Sequence, residues 1–346
     1  MRLLVMGCGG IGGVTTALLA ESGHDVTAFT TNAAIADACE RRGLELRGDG
    51  PPRAVRARVL RAIPEGERFD AVLLCTQPPQ VEEAARVALP VLADDGAMVC
   101  FQNGLCEPRV AAIAGAARTV GAVVAWGAAM PEPGVYERTA HGGFALGAVD
   151  AGGAPKLDAI ASVLEVVGPV DVTTNLDGKR WSKLAINAAI SSLGTIGGDR
   201  LGALLQHRFV RRLALEIMTE CVHVARAHGV RLEKVSGTLD LEWMALGEEE
   251  RRASGSPGLV AKHAMLMAVG FRYRRMRSSM LAAIERGRTP SVDFLNGEVC
   301  DRGRARGVRT PVNDAARAFV WDIAREKRAS GMRSLRDLAD AVSPRG

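Results

Sequence analysis

The chain opens M-R-L-L-V-M-G-C-G-G-I-G at residues 1–12, a short apolar run that leads into a G-x-G-x-x-G pattern. An apolar helical pattern follows at 14–22, so the glycines lie between a predicted strand and a predicted helix. In that context the first glycine permits a tight turn, the second lets the backbone approach a pyrophosphate, and the third lets helix and strand pack closely. The pattern predicts a Rossmann-type dinucleotide-binding domain, and a glycine-rich turn of another α/β protein is the alternative. The predicted cofactor loop comprises Gly7, Cys8, Gly9, Gly10, Ile11 and Gly12.

A second strand is expected at 25–29, and the residues after it bear on which nicotinamide cofactor binds. The strand runs out in Thr30, Thr31 and Asn32, which offer neither a carboxylate for an NAD ribose nor an arginine for a 2′-phosphate. NADP is favoured over NAD only because nothing there repels the phosphate. Arg41 or Arg42 is an alternative source of positive charge.

The rest of the chain predicts two kinds of structure. Uniformly apolar runs at 71–75, 97–101 and 120–125, with a helical pattern at 81–91, continue a parallel sheet covered on both faces. Alternation at 133–149 with a turn at 141–143 predicts a hairpin that closes the sheet, followed by a helix at 155–167 and a strand at 170–173. From Asp177 onward only helical patterns follow, at 208–227, 258–267, 273–285, 291–306 and 311–325, and the charged tail from Arg328 is expected to fray.

These patterns predict an α/β fold in which a Rossmann-type domain at 1–174 precedes an all-α domain at 175–330 and a charged C-terminal tail at 331–346.

The helical pattern at 179–195, K-R-W-S-K-L-A-I-N-A-A-I-S-S-L-G-T, carries a polar stripe on an apolar helix. Lys183, Asn187 and Ser191 are four residues apart and share one face. A lysine in apolar company either extends its ammonium group to water or serves in proton transfer. Because the segment follows a nucleotide-binding domain, an acid at Lys183 is expected to face the cofactor.

Composition narrows the class of protein. At 346 residues, 47% hydrophobic and 24% charged, the chain has room for two globular domains. Seven scattered cysteines without a C-x-x-C pair argue against a disulfide framework and a zinc site, and no metal is expected. The absence of a signal-peptide pattern and of a 20-residue apolar run predicts a cytoplasmic protein without membrane contact.

Positive charge is concentrated at 271–309, where ten arginines outnumber four acidic residues. Such a region suits an anionic metabolite or cofactor phosphates. Without interleaved aromatic residues it does not favour nucleic acid.

Together these motifs resemble the ketopantoate reductase family, whose members use NADPH to reduce 2-dehydropantoate to pantoate. The resemblance covers most of the chain. It rests on the glycine loop and on five further motifs: Q-N-G-L at 102–105, W-S-K-L-A-I-N at 181–187, S-S-M-L at 278–281, D-F-L-N-G at 293–297 and T-P-V-N-D at 310–314.

The resemblance implies roles for individual residues. Lys183 matches the family's general acid, Asn187 and Ser279 match substrate-binding residues, and Asn103 matches an asparagine near the nicotinamide. The sequence departs from the family at four positions. Ser191 stands for a substrate-contacting asparagine, Ser291 for a glutamate, Thr31 for an arginine that holds the NADP phosphate, and Gln77 for a lysine near the cofactor.

The leading hypothesis is therefore an NADPH-dependent reductase of a small 2-oxo acid, a step of pantothenate biosynthesis in the family. A dehydrogenase of another oxo acid or of an imine, as in opine formation, is the alternative, and a non-catalytic NADP sensor is a third. The departures leave the true oxo acid and the strength of the NADP preference open. A homodimer is also open, as is the role of the long stretch 247–270.

Overall fold

The structure, a computed structural model, describes residues 1–234, 239–252 and 255–343, which form two compact units. The first unit comprises Met1–Gln102 and Cys106–Leu176, and the second comprises Asn103–Leu105 and Asp177–Gly346. Every strand of the described chain lies in the first unit, whereas the second is helical. The predicted combination of a Rossmann-type α/β domain and an all-α domain is confirmed.

The first unit contains twelve strands among its described residues. They are β1 (Arg2–Met6), β2 (Asp25–Phe29), β3 (Leu44–Arg47), β4 (Arg53–Val55), β5 (Arg58–Leu60), β6 (Phe69–Leu74), β7 (Leu92–Cys100), β8 (Thr119–Val124), β9 (Gly127–Glu132), β10 (Val135–Ala140), β11 (Phe144–Ala148) and β12 (Val170–Val172). Eight of them form one sheet in the order β12-β11-β8-β7-β6-β1-β2-β5. The glycine loop follows β1, which lies between β2 and β6 near the middle of this sheet.

Five helices connect these strands, α1 (Gly10–Glu21), α2 (Ala33–Arg42), α3 (Val81–Ala88), α4 (Glu107–Ala114) and α5 (Leu157–Leu164). The central strands are uniformly buried because helices cover the large sheet, which explains why their sequences do not alternate. The sheet is mixed, not wholly parallel as predicted, since β11 pairs antiparallel with β8.

A second sheet of four strands, in the order β4-β3-β10-β9, was not expected from the sequence. The predicted hairpin at 133–149 is wrong: β10 pairs with β9, while β11 joins the large sheet. The true hairpin turns at Pro133 and Gly134, where Gly134 has a φ of +79°. A glycine accommodates that conformation without the strain that other residues incur.

The helical unit contains ten helices among its described residues. They are α6 (Leu176–Gly197), α7 (Leu201–Leu204), α8 (Arg208–Ala227), α9 (Leu241–Met244), α10 (Glu248–Arg252), α11 (Pro257–Arg272), α12 (Ser279–Ile284), α13 (Asn296–Ala305), α14 (Pro311–Ala324) and α15 (Met332–Val342). No described helix is long and apolar enough to cross a membrane.

Three predictions for this unit are wrong. The pattern at 291–306 is not one helix, because it divides at Leu295 into a 3-10 helix, Ser291–Phe294, and α13. The helix expected at 273–285 begins only at Ser279, because the buried Ser278 caps it by accepting a hydrogen bond from the Leu281 amide. The tail from Arg328 was expected to fray, yet α15 folds back and buries Leu335 and Leu338 in the core of the unit. The last three residues of the predicted tail, 344–346, lie outside the described residues.

Candidate active site

The glycine loop has the geometry that the three glycine roles require. Gly7 has a φ of +101° and its amide donates to the Phe29 carbonyl, which turns the chain sharply out of β1. A Cβ atom on Gly12 would lie 1.9 Å from the Gly7 carbonyl oxygen, so only glycine allows this approach of α1 to the loop. A Cβ atom on Gly9 would meet no atom within 4 Å. The side of the loop where a pyrophosphate would lie is therefore open.

The first turn of α1 is suited to an anion. Gly9 occupies the N-cap position without a side-chain cap, and no acidic residue lies in the first turn. The first amide groups of a helix have no acceptor within it, and the helix dipole favours negative charge there. The loop therefore fits the diphosphate of a dinucleotide.

The second sheet supports this loop from behind. The Tyr136 hydroxyl lies 3.0 Å from the Cys8 thiol and 3.6 Å from the Cys39 thiol, and all three side chains are buried. A Cβ atom on Gly13 would lie 2.0 Å from the Tyr136 ring. The Cys8 side chain thus packs into the protein, and only its backbone is available to a cofactor.

At the end of β2, two of the polar side chains already form hydrogen bonds within the protein. Thr30 accepts a hydrogen bond from the Asn32 amide, and Asn32 caps α2 through the Ile35 amide. Thr31 is exposed. Arg41 and Arg42 lie in the last turn of α2, roughly 13 Å along the helix from Thr31. The structure therefore places the two predicted arginines away from the end of β2.

A different arginine lies beside the end of β2. Phe29 pairs with Leu60 in the parallel ladder, and the Thr30 amide donates to the Leu60 carbonyl. The next residue, Arg61, is exposed at the same edge of the sheet and borders a cavity of about 380 Å³ that Phe29 also lines. Sequence reasoning missed Arg61 because its proximity depends on the pairing of β5 with β2.

The other predicted cofactor residues follow β6 and β7. Gln77 is exposed three residues after the end of β6. Gln102 joins the ends of β6 and β7 by donating to the Leu74 carbonyl and the Thr76 hydroxyl. Asn103 is exposed but belongs to the helical unit. The adjacent Gly104 fixes the position of Asn103, since a Cβ atom there would lie 2.3 Å from the Phe294 carbonyl oxygen.

In the helical unit, α6 carries the polar stripe on its less buried face. Lys183, Asn187 and Ser191 are half-buried, and Ile186 and Ile190 lie between them on the same side. The remaining faces of the helix are in the core of the unit. The buried Trp181 stacks on His228 at 6.1 Å and anchors the first turns of α6. The stripe is therefore a continuous, rigidly supported surface.

Asn187 has an unused donor on this stripe. Its Nδ2 atom is buried and has no hydrogen-bond partner among the described residues. A buried amide that lacks a partner costs free energy, which a bound ligand with an acceptor oxygen would recover. Asn187 is therefore suited to hold a carbonyl or hydroxyl oxygen next to Lys183, one turn away.

The S-S-M-L motif lies at the other end of the stripe, and its two serines differ. Ser278 is buried, donates to the Ser191 carbonyl at 3.1 Å and lies 2.9 Å from the Thr195 hydroxyl. Ser279 is the exposed first residue of α12. Ser278 thus fixes α12 against α6 and leaves Ser279 as the serine that a substrate could contact.

Two further family motifs form a buried polar network behind α6. Asn296 donates to the Ala188 carbonyl and to Asn313, and Asn313 donates to Glu220 at 2.7 Å. Glu220 also accepts the backbone amides of Val312 and Asn313 and so caps α14. These asparagines position the centre of α6 and do not lie on its polar stripe.

Glu220 gives a prediction for stability. Burial raises the pKa of Glu220 to about 7, against hydrogen bonds that lower it. A glutamate in the unfolded chain has a pKa near 4.3, so between about pH 4.3 and 7 only the folded protein holds the Glu220 proton. The stability gained from this proton is complete at low pH and is lost as pH rises through 7. We expect Glu220→Gln to remove this dependence. The difference in unfolding free energy between wild type and variant should change by about 3 kcal/mol between pH 4 and 8.

Urea titrations at several pH values measure this difference. Parallel stability curves for wild type and Glu220→Gln would show that Glu220 does not change its protonation on unfolding.

The structure also locates Ser291 and the long stretch 247–270. Ser291 is half-buried at the start of a short 3-10 helix, Ser291–Phe294, that precedes α13. The long stretch 247–270 forms α10 and most of α11, and its residues 253 and 254 lie outside the described part of the chain. No group of side chains suited to a metal ion is present among the described residues.

Comparisons with known proteins agree with this architecture. The family model described as ketopantoate reductase PanE/ApbA matches residues 3–151, and the model of its C-terminal domain matches residues 175–324. A 2-dehydropantoate 2-reductase of Pyrococcus horikoshii is 24% identical over 333 residues, which cover 96% of this chain and 99% of the relative.

Solved structures show the same fold. A ketopantoate reductase of the PanE/ApbA family from Ralstonia eutropha matches with a TM-score of 0.78 at 24% identity, covering 95% of this chain and all of that one. A ternary structure of D-mandelate dehydrogenase with NADH and anilino(oxo)acetate matches with a TM-score of 0.80 at 18% identity, covering 94% and 99%.

The two family models together span most of the chain. The first matches residues of the α/β unit, and the second matches the helical unit. The family consists of nicotinamide-dependent oxidoreductases that act on a CH–OH or C=O group of a small 2-oxo acid. The chain belongs to the ketopantoate reductase family.

Proposed function

We propose that this protein reduces 2-dehydropantoate with NADPH, and that Lys183, Asn187 and Ser279 carry the reaction. The half-buried Asn187, one turn from Lys183, has an unused Nδ2 donor, and this observation supports the proposal most directly. The glycine loop supports dinucleotide binding through the open side of Gly9 and the uncapped first turn of α1.

In the proposed reaction, NADPH supplies a hydride to the carbonyl carbon of the oxo acid. Negative charge then develops on the carbonyl oxygen, where the Lys183 ammonium group donates a proton. Asn187 donates a hydrogen bond to the same oxygen and holds it one helical turn from the lysine. Ser279 binds the substrate carboxylate. The products are the 2-hydroxy acid and NADP⁺, and Lys183 regains its proton from solvent.

Oxidation of NADPH in the presence of a panel of 2-oxo acids tests the proposal. We expect kcat/KM to be highest with 2-dehydropantoate. Binding of NADPH without turnover on any oxo acid or imine would identify a sensor and contradict the proposed activity.

A second candidate is a reductase of a different 2-oxo acid. Ser191 and Ser291 provide shorter polar side chains than the asparagine and glutamate that the family resemblance places there. The D-mandelate dehydrogenase neighbour holds an oxo acid amide with an aromatic group. Higher kcat/KM with phenylglyoxylate than with 2-dehydropantoate would favour this candidate.

For the cofactor, we propose NADP with Arg61 as the residue that holds the 2′-phosphate. Thr31 at the end of β2 is neutral, whereas Arg61 follows the neighbouring strand directly beside it. A charge-assisted hydrogen bond is worth roughly 1.5 to 3 kcal/mol, which corresponds to about 10- to 100-fold in affinity. NAD remains the less favoured cofactor.

Arg61→Ala tests this assignment. We expect it to weaken NADPH binding by about 10- to 100-fold and to leave NADH binding unchanged. Arg41→Ala is a matched control, since Arg41 is an exposed arginine in the last turn of α2. Titration of both cofactors against each variant measures the effect. An equal loss of affinity for NADPH and NADH, or no loss for either, would exclude Arg61 from the phosphate site.

A further inference from the structure

Two cysteines and one tyrosine are in contact behind the glycine loop. Cys8 belongs to the loop, Cys39 lies in α2 and Tyr136 lies in β10, and all three side chains are buried. The Tyr136 hydroxyl is 3.0 Å from the Cys8 sulfur and 3.6 Å from the Cys39 sulfur. Because both sulfur atoms contact the same hydroxyl, the two thiols lie close together. We call these three residues the thiol cluster.

The two thiols of the cluster differ in acidity. The pKa of Cys39 is lowered to about 7, first by a hydrogen bond from Cys8 and against the effect of burial. Tyr136 and the positive charge of Arg42 contribute to the same shift. The contact with Cys39, together with burial, raises the pKa of Cys8. Since the thiolate is the nucleophilic form of cysteine, the cluster contains a nucleophilic sulfur with a thiol beside it near neutral pH.

The thiol cluster is connected to the backbone of the glycine loop. Cys8 lies between Gly7, where φ is +101°, and Gly9, which is open on the side where a pyrophosphate would lie. The Tyr136 hydroxyl also donates to the Cys8 carbonyl at 3.3 Å. A change in the position of the Cys8 sulfur therefore moves the part of the loop that is suited to a dinucleotide.

We propose that Cys8 and Cys39 form an oxidation site, at which a hydroperoxide converts the two thiols into a disulfide and thereby weakens cofactor binding. The sulfur atoms of a disulfide are about 2.05 Å apart, much closer than two sulfur atoms in van der Waals contact. Cys39 is held within α2, so the new bond draws the glycine loop towards that helix. The inference rests on the proposed binding of NADPH at this loop.

The oxidation proceeds in two steps, here written for hydrogen peroxide. The Cys39 thiolate attacks one peroxide oxygen, so that an S–O bond forms, the O–O bond breaks and hydroxide leaves and takes a proton from solvent. The Cys8 sulfur then attacks the sulfenic acid of Cys39, so that the S–S bond forms, the S–O bond breaks and water leaves with the Cys8 proton. The two thiols lose two electrons, and the peroxide is reduced to water.

Access to the thiol cluster requires movement of the loop. Cys8 and Cys39 are 2% and 3% exposed, so an oxidant reaches them only when this segment opens locally. A dinucleotide bound at the glycine loop stabilises the closed state and should slow the oxidation. The cofactor-free protein is therefore the form that is modified.

Treatment of the full chain with hydrogen peroxide, with and without NADPH, tests this site. After alkylation of the remaining thiols, mass spectrometry of peptides should show a bond between Cys8 and Cys39 that forms more slowly when NADPH is present. The NADPH affinity of the oxidised protein should fall by about tenfold or more, the loss of roughly one charge-assisted hydrogen bond. Dithiothreitol should restore both the free thiols and the affinity.

Cys39→Ser removes the nucleophilic sulfur and keeps a group that can form a hydrogen bond with Tyr136. Its NADPH affinity should not change on treatment with peroxide. Cys300→Ser is the matched control, since it removes another buried thiol, whose pKa is raised by burial to about 12. This control should lose affinity as the wild type does. Circular dichroism establishes that both variants are folded.

Three results would overturn the proposal: no bond between Cys8 and Cys39, a bond that leaves NADPH affinity unchanged, or a loss of affinity in oxidised Cys39→Ser equal to that of the wild type. Formation of the bond is measured without cofactor. A reduced protein that binds no NADPH would therefore contradict the proposed function, whereas peptide mapping alone would confirm or exclude the oxidation site.

Discussion

Replacing Lys183 by alanine is expected to lower turnover by roughly 10² to 10⁴, the usual contribution of one positioned general acid. The half-buried Lys183 lies on the α6 stripe one turn from Asn187, and it is the cationic member of the three residues that define the stripe. Without its proton, negative charge on the substrate oxygen is stabilised only by hydrogen bonds. NADPH affinity should change little, since the glycine loop and Arg61 carry the proposed cofactor contacts. Single-turnover oxidation of NADPH measures the effect on the chemical step.

Lys179→Ala is the matched control for this experiment. Lys179 lies one turn earlier on the same helix, and its ammonium group is 3.9 Å from the Glu233 carboxylate. Lys179 continues the stripe by one turn, but its charge is paired with Glu233, so its loss should leave turnover close to that of the wild type. Near-normal turnover of Lys183→Ala would mean that the Lys183 ammonium group only extends to water and is not the general acid. A comparable loss in Lys179→Ala would show that α6 tolerates no substitution there.

The second large effect is the loss of NADPH affinity expected in Gly9→Val. Gly12→Ala is compared with it because its main effect should be on stability. A Cβ atom at Gly9 meets no protein atom within 4 Å and the backbone there is extended, so the fold should keep its melting temperature. The side chain would occupy the space where the pyrophosphate approaches. We expect NADPH affinity to fall by about 10² or more, the loss of about two charge-assisted hydrogen bonds.

Gly12→Ala should instead destabilise the fold. Its Cβ atom would lie 1.9 Å from the Gly7 carbonyl oxygen and 3.1 Å from the Cys75 Cβ atom, so α1 must move away from β1. Overpacking of this kind costs about 1 to 3 kcal/mol or more. Calorimetric titration with NADPH and thermal unfolding separate the two effects. Unchanged NADPH affinity in Gly9→Val would place the phosphates elsewhere.

Sequence patterns correctly predicted those parts of the fold that depend on residues close together in the sequence. The glycine loop, the helix from Arg208 to Ala227 and the opening turns of α14 were predicted because period, caps and proline position act within one element. The stripe of Lys183, Asn187 and Ser191 was predicted for the same reason. It follows from helical geometry alone.

Features that depend on distant pairing could not be predicted. The hairpin at 133–149 was misplaced because alternation is the same whether β10 pairs with β9 or with β11. Arg61 was missed because its position beside Thr30 follows from the register of β5 on β2. The tail was expected to fray because its charges dominate the sequence, although Leu335 and Leu338, spaced by three, form a narrow buried face.

The roles of the asparagines in D-F-L-N-G and T-P-V-N-D likewise required the structure. Their motifs resemble family signatures, but Asn296 and Asn313 are fully buried and bond to Ala188 and Glu220. Sequence cannot distinguish an asparagine that contacts substrate from one that positions the helix behind it. Asn187 differs from them in lying half-buried on the stripe with its Nδ2 atom unpaired among the described residues, which supports the proposed contact with substrate.

Transfer of deuterium from NADPH labelled at C4 of the nicotinamide tests the proposed reaction most directly. The purified protein is incubated with 2-dehydropantoate and NADPH labelled on either face, and the product is analysed by mass spectrometry. We expect pantoate with one deuterium at C2 from one labelled form only, and a loss of that product in Lys183→Ala. Consumption of NADPH without deuterium in the hydroxy acid, or no product although NADPH binds, would contradict direct hydride reduction of 2-dehydropantoate by this protein.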